Sequence, residues 1–413
     1  MKHLSNLVRS VAVLLAGLAL LSGCGGGDSS STGTLRLSIT DQPACGYDNV
    51  FITVETVRVH QSEDAMDSDA GWQDIPILDA PKRIDLLKLT NGVLETLGQT
   101  VLPAGNYTQL RLVLASNPPN SPSPIPNSVV LTVNGSEEPL DTPSGQQTGI
   151  KMNVDITVEP DKVADFVIDF DACKSVVVAG SSGKYLLKPV VSVIPLVTEA
   201  GQRIIGYLDP ATLGANTLVS AQSSGVVVKS TPPATGTEFG LTEGQFVLYP
   251  VPPGTYDLVI ASSGRATAVM TGVPVVTTAY THVSSETVRI ALAGSGTSSA
   301  SGTVMLDASP VDTGAGVRAL QTLHNGPTVE VASMPVNAST GAYGFALPTG
   351  APQVAAYVAN PVSITFAPDS TDPALTAAGK YTLEASIAGL ASQTAAINLS
   401  GGSVVTNFSF TAP

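Results

Sequence analysis

Three aspartates alternate along one predicted strand and could supply a pair of catalytic carboxylates. Asp165, Asp169 and Asp171 share one face of that strand. Glycoside hydrolysis needs two carboxyl groups about 5–10 Å apart. Residues two apart in a strand are separated by roughly 7 Å, and residues four apart by roughly 13 Å. Only Asp169 and Asp171 fit, and because such pairs are common on exposed strand faces, we assign them no catalytic role.

A second acidic group lies in a predicted loop. Asp64, Asp67 and Asp69 would offer carboxylate oxygens to Ca²⁺, which takes about six to eight oxygen ligands. The EF-hand spacing is not met, because Gly71 and Trp72 occupy the fifth and sixth positions counted from Asp67. A solvated hairpin loop is the favoured interpretation. Ca²⁺ binding and metal-dependent hydrolysis by these aspartates are the weaker hypotheses.

Other catalytic signals are missing from the sequence. It contains no His-Glu-x-x-His and no Gly-x-Ser-x-Gly motif. Residues 181–184 match Ser-x-x-Lys, but they lie between two predicted strands, where a hairpin turn is the better interpretation. Three Cys and four His are too few for a Cys/His-rich zinc module. We therefore predict a protein that is not an enzyme and that needs no cofactor.

The charge of the chain excludes one class of partner. The 413 residues carry 19 Lys and Arg against 33 Asp and Glu, a formal net charge of −14. A chain this acidic repels phosphate backbones, so we predict no binding to nucleic acid. Hydrophobic residues make up 43% of the sequence, which is enough to bury real cores.

The first residues have the pattern of an export signal. Lys2 and Arg9 precede an apolar run over residues 11–21, which is too short to span a membrane. The following Leu-Ser-Gly-Cys, residues 21–24, resembles the lipobox of bacterial lipoproteins. This resemblance implies cleavage just before Cys24 and a thioether-linked lipid on its sulfur. The alternative is an ordinary cleaved signal peptide with an incidental Cys.

The lipobox resemblance implies a place in the cell envelope. Residues 25–33 contain no apolar side chain and are typical of a flexible tether. Acyl chains on Cys24 together with this tether would hold the protein beside a bilayer. If the host is Gram-negative, lipoproteins that resemble this one, with Gly25 rather than Asp after the Cys, are usually sorted to the outer membrane. The sequence does not decide between a periplasmic and a surface-facing position.

Apolar alternation with a period of two runs through the rest of the chain and predicts β-strands. Leu35, Leu37 and Ile39 alternate with polar residues. In residues 50–59 the alternation changes phase, and a bulge near Glu55 would restore it. Three tyrosines follow similar Gly-containing turns, and we predict that each ring covers the edge of a core while its hydroxyl stays in water: Tyr107, Tyr256 and Tyr381. The repeats indicate an all-β protein of tandem β-sandwich domains.

Composition indicates the domain boundaries. The tract Ala-Gly-Ser-Gly-Thr-Ser-Ser-Ala-Ser-Gly ending at Gly302 is rich in linker residues, and a turn near residue 200 separates two strands. The predicted segments are a signal peptide (1–23), a tether (24–33), a first domain (34–199), a second domain (200–293), a linker (294–301) and a third domain (302–413).

The first domain resembles a family of bacterial lipoproteins known as domain of unknown function 4382, which has no assigned activity. The matching segments occur in the family's order: residues 33–41, 50–60, 84–89, 102–112, 169–172 and 187–190. Residues 200–293 look like a carboxypeptidase-regulatory or transthyretin-like β-sandwich, a fold group filed with carbohydrate-binding-like folds. Residues 302–413 look like a diverged, Ig-like relative. Such sandwiches serve most often as spacers, stabilisers or adhesion modules.

Two cysteines remain if Cys24 carries a lipid. Export would place Cys45 and Cys173 in an oxidising compartment, where a disulfide between them is favoured. The alternative is two unpaired thiols.

The sequence supports three hypotheses for function. The first is a lipid-anchored envelope protein with a non-catalytic binding, adhesion or structural role, whose protein or glycan partner is unidentified. The second is a carbohydrate-binding or glycan-handling surface lipoprotein, in which Trp72, the only Trp, could stack on a sugar, although a core or edge role is favoured for it. The third is the metal-dependent hydrolase already mentioned.

Overall fold

The computed structural model describes residues 31–42, 46–119, 123–179, 184–197, 201–237, 240–311 and 314–412. Over these residues the regular structure is almost entirely β-strand, which confirms the predicted all-β class. Three buried apolar clusters divide the strands into three successive groups, here called the first, second and third domains. No helix in this part of the chain is long and apolar enough to span a membrane.

The first domain holds thirteen strands, two very short α-helices and one turn of 3-10 helix (Leu86–Lys88) within the described residues. The strands are β1 (Thr32–Gln42), β2 (Tyr47–His60), β3 (Gln73–Ile75), β4 (Lys82–Asp85), β5 (Glu95–Pro103), β6 (Gly105–Leu114), β7 (Ser128–Leu131), β8 (Glu137–Asp141), β9 (Ile150–Val158), β10 (Val163–Asp171), β11 (Val176–Ala179), β12 (Lys184–Leu187) and β13 (Val191–Pro195). The helices are α1 (Pro143–Gln147) and α2 (Ala172–Ser175).

Two sheets of the first domain enclose its apolar core. One has the strand order β13-β10-β1-β5, and the other has the order β11-β12-β8-β7-β2-β6-β9, with β3 and β4 also pairing with β2. The predicted bulge is confirmed, because the pairing of β2 with β6 shifts register between Val54 and Thr56. The shift lets Val57 and Val59 point into the same core as Val54.

The pairing of β1 with β10 brings distant parts of the chain side by side. These strands run parallel, with Thr40 opposite Asp169 and Asp41 opposite Phe170. Leu35, Leu37 and Ile39 of β1 are fully buried in the core. Alternate residues of a strand point to opposite faces. Thr40 and Asp169 therefore lie on the face of the sheet opposite to these three apolar side chains.

The second domain contributes seven strands among the described residues. They are β14 (Ile204–Tyr207), β15 (Leu218–Ser223), β16 (Val226–Thr231), β17 (Gln245–Leu248), β18 (Gly254–Ala261), β19 (Ala268–Val275) and β20 (Thr281–His282). They form a sheet of order β17-β14-β20 and the series β16-β15-β18-β19 of a larger sheet.

The third domain contains the remaining described strands. They are β21 (Thr297–Leu306), β22 (Ser309–Pro310), β23 (Ala315–Thr322), β24 (Thr328–Pro335), β25 (Ala342–Pro348), β26 (Gln353–Ala356), β27 (Ala367–Pro368), β28 (Lys380–Ile387), β29 (Gln393–Asn398), β30 (Val404–Val405) and β31 (Phe408–Phe410). One sheet has the order β24-β23-β28-β29, and the other centres on β21, which pairs with β22, β25, β30 and β31.

The second and third domains share a sheet. β26 pairs in parallel with β19 and antiparallel with β27, so two strands of the third domain extend the larger sheet of the second. Backbone hydrogen bonds therefore cross the boundary between the two domains. Two sandwiches connected only by a flexible linker would lack such bonds.

The predicted linker at residues 294–301 differs from the structure, because a strand starts at Thr297. Thr and Ser tolerate extended backbone, and Ala300 and Val304 of this strand are buried. Gly302 allows close contact with the last part of the chain, since a Cβ there would clash with the carbonyl oxygen of Thr406. The small residues that resemble a linker therefore permit close strand packing.

Candidate functional site

The aspartates of β10 lie beside basic partners rather than on an exposed face. Asp165 pairs with Arg36 of the neighbouring strand. Asp171 pairs with Lys174 at 3.3 Å and caps α2 by accepting the Lys174 backbone N–H. The side chains of Asp169 and Asp171 are almost fully buried. The expectation of an exposed strand face was wrong for this pair, because the second and third domains pack against it.

Lys229 is the partner of Asp169 and comes from the second domain. It lies in β16, and its Nζ is 2.6 Å from Asp169 Oδ1. The Nζ also donates to the main-chain carbonyl of Asp41 at 3.3 Å. The side chains of Lys229 and Asp169 are 2% and 0% exposed. Burying two charged groups costs free energy unless they pair with each other. The ion pair therefore constrains how the first two domains dock.

Asp41 adds a third buried carboxyl at the same junction. Its Oδ1 accepts the Ala172 backbone N–H at 3.0 Å, whereas Oδ2 has no hydrogen-bond partner among the described residues. Burial raises the pKa of Asp41 well above its usual range. The negative charges of Asp171 and Asp169 add to this rise, and the Ala172 N–H and the charge of Lys229 oppose it. The rise in pKa favours the protonated form of this carboxyl in the folded protein.

Glu330 of the third domain completes the charged junction. Its carboxylate lies 3.5 Å from Lys174 and 3.6 Å from Arg318. The side chain of Gln222, in the second domain, exchanges two hydrogen bonds with the Glu330 backbone, at 2.7 and 2.8 Å. Burial lowers the pKa of Lys174, but the charges of Asp171 and Glu330 outweigh this effect and leave it raised. Residues from all three domains thus meet in one network.

A cleft of about 610 Å³ opens beside this network. Its walls come from all three domains and are mostly apolar, with basic groups from the first and third; the lining includes Lys174, Lys188, Val226, Arg318, Glu330 and Met334. Ligand sites have volumes of roughly 300–1,000 Å³ and combine apolar walls with a few polar groups. The cleft has the size and the mixed apolar and polar lining of a ligand site.

The acidic loop is folded against arginines. Asp67 Oδ1 lies 2.9 Å from Arg58 and 3.5 Å from Arg111, and Asp69 accepts the backbone N–H of Met66. Within the described residues, no group of three or more His, Cys, Asp or Glu side chains is placed to hold a metal ion. Two of the three candidate Ca²⁺ ligands, Asp67 and Asp69, are thus engaged in holding the loop.

Trp72 acts as the centre of this loop. Arg58 and Arg111 lie 5.0 and 4.6 Å from its ring, and the ring of His60 lies 5.1 Å away. The indole Nε1 donates to the carbonyl oxygen of Met66 at 2.8 Å. These contacts support the edge role favoured by the sequence over that of an open platform for a sugar.

Cys24, the residue predicted to carry the lipid, lies outside the described residues, as do the predicted tether up to residue 30 and Cys45. Cys173 lies in α2. In the parallel register, Gln42 stands opposite Asp171, so the chain leaves β1 and β10 at the same end of the sheet. The Cys45–Cys173 pairing stays a prediction.

Sequence reasoning missed Lys229 and Glu330. A signal for Lys229 was available: it is the one charged residue in the run Val-Val-Val-Lys, residues 226–229, and a charge inside an apolar strand requires a partner if it is buried. The sequence around Glu330 does not predict its partners, because they come from all three domains and most of them are far from Glu330 in the chain.

Comparisons with known proteins identify part of the chain. Residues 32–189 match the family described as domain of unknown function DUF4382, which confirms that resemblance for the first domain. No curated protein matches the sequence significantly.

Several solved structures are similar at low identity. The Bacillus anthracis TIE protein is 13% identical, with a TM-score of 0.17; the match covers 92% of this chain and 50% of that one, so this chain spans about half its length. The streptococcal ancillary pilin is 10% identical, with a TM-score of 0.17 and coverage of 91% and 99%. The Corynebacterium diphtheriae major pilin SpaA is 12% identical, with a TM-score of 0.19 and coverage of 92% and 99%. TM-scores this low establish no common fold.

Proposed function

We propose that this protein is a non-catalytic, lipid-anchored component of a bacterial envelope, whose three β-domains act as one rigid body. The observation that carries the structural role is the buried network in which Asp169, Lys229 and Glu330 join the three domains. The shared sheet of β19 and β26 adds backbone hydrogen bonds between two of them. A rigid body suits a spacer or an adhesion module.

The anchoring part of the proposal rests on the leader and on Cys24. The experiment is to express the full chain in a Gram-negative host, fractionate the membranes and measure the mass of the N-terminal peptide. We expect a peptide that starts at Cys24 and carries acyl mass, in the outer-membrane fraction. A Cys24→Ala variant should lose the acyl mass and leave the membrane. A wild-type protein without acyl mass would contradict the proposal.

The rigid-body part has its own test. We expect small-angle scattering of the mature protein to fit a single arrangement of the three domains, and limited proteolysis to leave the boundary near residue 297 uncut. Rapid cleavage there would contradict the proposal, because an exposed linker is cut readily. Cleavage within residues 25–31 of the predicted tether serves as the positive control.

Binding of an acidic oligosaccharide is the second candidate function, and the cleft is the observation that favours it. Lys174, Lys188 and Arg318 supply positive charge there in a chain of net charge −14. Calorimetric titration with oligogalacturonate tests the idea. We expect Lys188→Ala to weaken binding about tenfold, and the exposed Lys184→Ala to leave it unchanged, since one charge-assisted hydrogen bond contributes about 1.5–3 kcal/mol. No heat of binding with the wild type would remove this candidate.

The folds suggested for the second and third domains also remain proposals. Their arrangement in sandwich-like sheets is compatible with carboxypeptidase-regulatory-like domains. The sheet shared by the second and third domains is a feature that a simple tandem of separate domains does not have.

A further inference from the structure

The contact between Lys229 and Asp169 places an amine and a carboxyl group in a buried position to react. Nζ and Oδ1 lie 2.6 Å apart, and the two side chains are 2% and 0% exposed. The groups belong to strands β16 and β10 of different domains. Burying two charged groups carries a desolvation cost, and an amide between them would remove both charges.

We propose that Lys229 and Asp169 form an intramolecular isopeptide bond, in which Lys229 Nζ is joined to Asp169 Cγ. The bond would tie the first domain covalently to the second. The proposal goes beyond the structural role given above and does not depend on the lipid anchor.

The reaction is a condensation that balances without a co-reactant. A proton passes from the ammonium group to the carboxylate, which leaves a neutral amine facing a neutral acid. Nζ attacks Cγ, the C–N bond forms, and one carboxyl C–O bond breaks. The departing oxygen takes its own proton and one proton from the amine, and it leaves as one molecule of water. No group is oxidised or reduced.

The main chain of Asp41 holds the amine in place. Its carbonyl oxygen accepts a hydrogen bond from Lys229 Nζ at 3.3 Å, on the same Nζ that lies 2.6 Å from Asp169 Oδ1. The amine is therefore fixed from two sides, and its nitrogen stays beside the carboxyl group that it would attack.

The surroundings favour the amide over its hydrolysis. Water is a product of the condensation, and exclusion of water from a closed site suppresses the reverse reaction. The neighbouring Thr40, opposite Asp169 in the pairing of β1 with β10, is also fully buried. The docked domains therefore protect the bond that their docking would create.

Peptide mapping of the mature full-length protein tests the proposal. The purified protein is reduced, alkylated and digested with trypsin, which does not cut after an amidated Lys. We expect a branched product in which peptide 163–174, containing Asp169, is joined to peptide 204–265, containing Lys229. The intact mass should be lower by one water molecule. Separate peptides 163–174 and 204–229, with no branched product, would overturn the proposal.

Two variants sharpen the result. Lys229→Arg keeps the charge but should abolish the branched peptide and restore the mass of the water. Lys184→Arg, a matched exposed control, should keep the branched peptide. If a variant fails to fold, the wild-type digest alone still decides whether the bond exists.

Discussion

Tyr107 and Tyr256 occupy equivalent places in two different domains. Each phenol donates a hydrogen bond to the carbonyl oxygen of a proline four residues earlier, Pro103 at 3.0 Å and Pro252 at 2.8 Å. Both rings are buried. The structure therefore explains the sequence repeat as a local device that ties a turn to the start of a strand. The hydroxyl groups were predicted to remain in water, and that expectation was wrong.

Removing the Tyr256 hydroxyl should destabilise the protein modestly. In Tyr256→Phe the Pro252 carbonyl loses its partner, and we expect the free energy of unfolding to fall by about 1 kcal/mol. Urea denaturation followed by circular dichroism measures the change. Tyr280→Phe is the matched control, because Tyr280 is 44% exposed and should change nothing. Equal stabilities of the wild type and Tyr256→Phe would contradict the interpretation.

Breaking the contact between Lys229 and Asp169 should cost far more. Lys229→Ala leaves the Asp169 carboxylate buried without this cation and also removes the proposed covalent link, so we expect a loss of at least roughly 3–5 kcal/mol. The double variant Lys229→Met/Asp169→Leu should recover the part of that loss that comes from the unpaired buried charge, because it removes both charges. Chemical denaturation gives both values. A loss below about 1 kcal/mol would show that the side chains are solvated.

Asp41 should make stability depend on pH in a definite direction. Its pKa is raised from the model-peptide value of 3.8 by burial, with the charges of Asp171 and Asp169 contributing. An acid with a higher pKa in the folded protein binds protons on folding, so its contribution to stability is lost as the pH rises from the unfolded value through the folded value.

Asp41→Asn is the variant that measures this effect. The stability of the wild type relative to Asp41→Asn should fall as the pH rises above the ordinary aspartate pKa of 3.8. Urea midpoints at several pH values provide the comparison. The exposed Asp155→Asn is the control and should follow the wild type. If the Asp41→Asn curve ran parallel to that of the wild type, the carboxyl would not be a buried neutral acid.

Added Ca²⁺ should leave the acidic loop unchanged. Asp67 is already paired with Arg58 and Arg111, and Trp72 lies against both arginines. We expect millimolar Ca²⁺ to alter neither the melting temperature nor the fluorescence of the single Trp. Arg111→Met provides the positive control, because it removes one of the two arginines that lie against the Trp72 ring. This change should shift the fluorescence emission of Trp72. A rise in melting temperature with Ca²⁺ but not with Mg²⁺ would revive the Ca²⁺ hypothesis.

Cys45 should be the partner of Cys173. Their disulfide would close a loop of about 128 residues and contribute roughly 4–5 kcal/mol in the chain-entropy model. Alkylation without reductant, followed by mass spectrometry, should find neither thiol reactive. Cys45→Ser should expose one reactive thiol at Cys173 and lower the melting temperature. Two alkylatable thiols in the wild type would exclude the pairing.

Local alternation was enough to predict the strands and their buried faces. Leu35, Leu37 and Ile39 are buried as expected, and the bulge that brings Val57 into phase with Val54 was visible in the spacing of apolar residues. These features depend on side chains that are close in sequence. A strand directs alternate residues to opposite faces whatever it packs against.

The network that joins the domains was decided only by the tertiary structure. Asp169 and Lys229 are 60 residues apart, and Gln222 and Glu330 are 108 apart. The sequence shows that Asp169 lies on a strand face, but not whether another domain covers that face. Coverage depends on how whole sheets dock, and that docking is the sum of many weak contacts between residues far apart in the chain. The same physical reason explains why small residues near 300, which resemble a linker, form a strand.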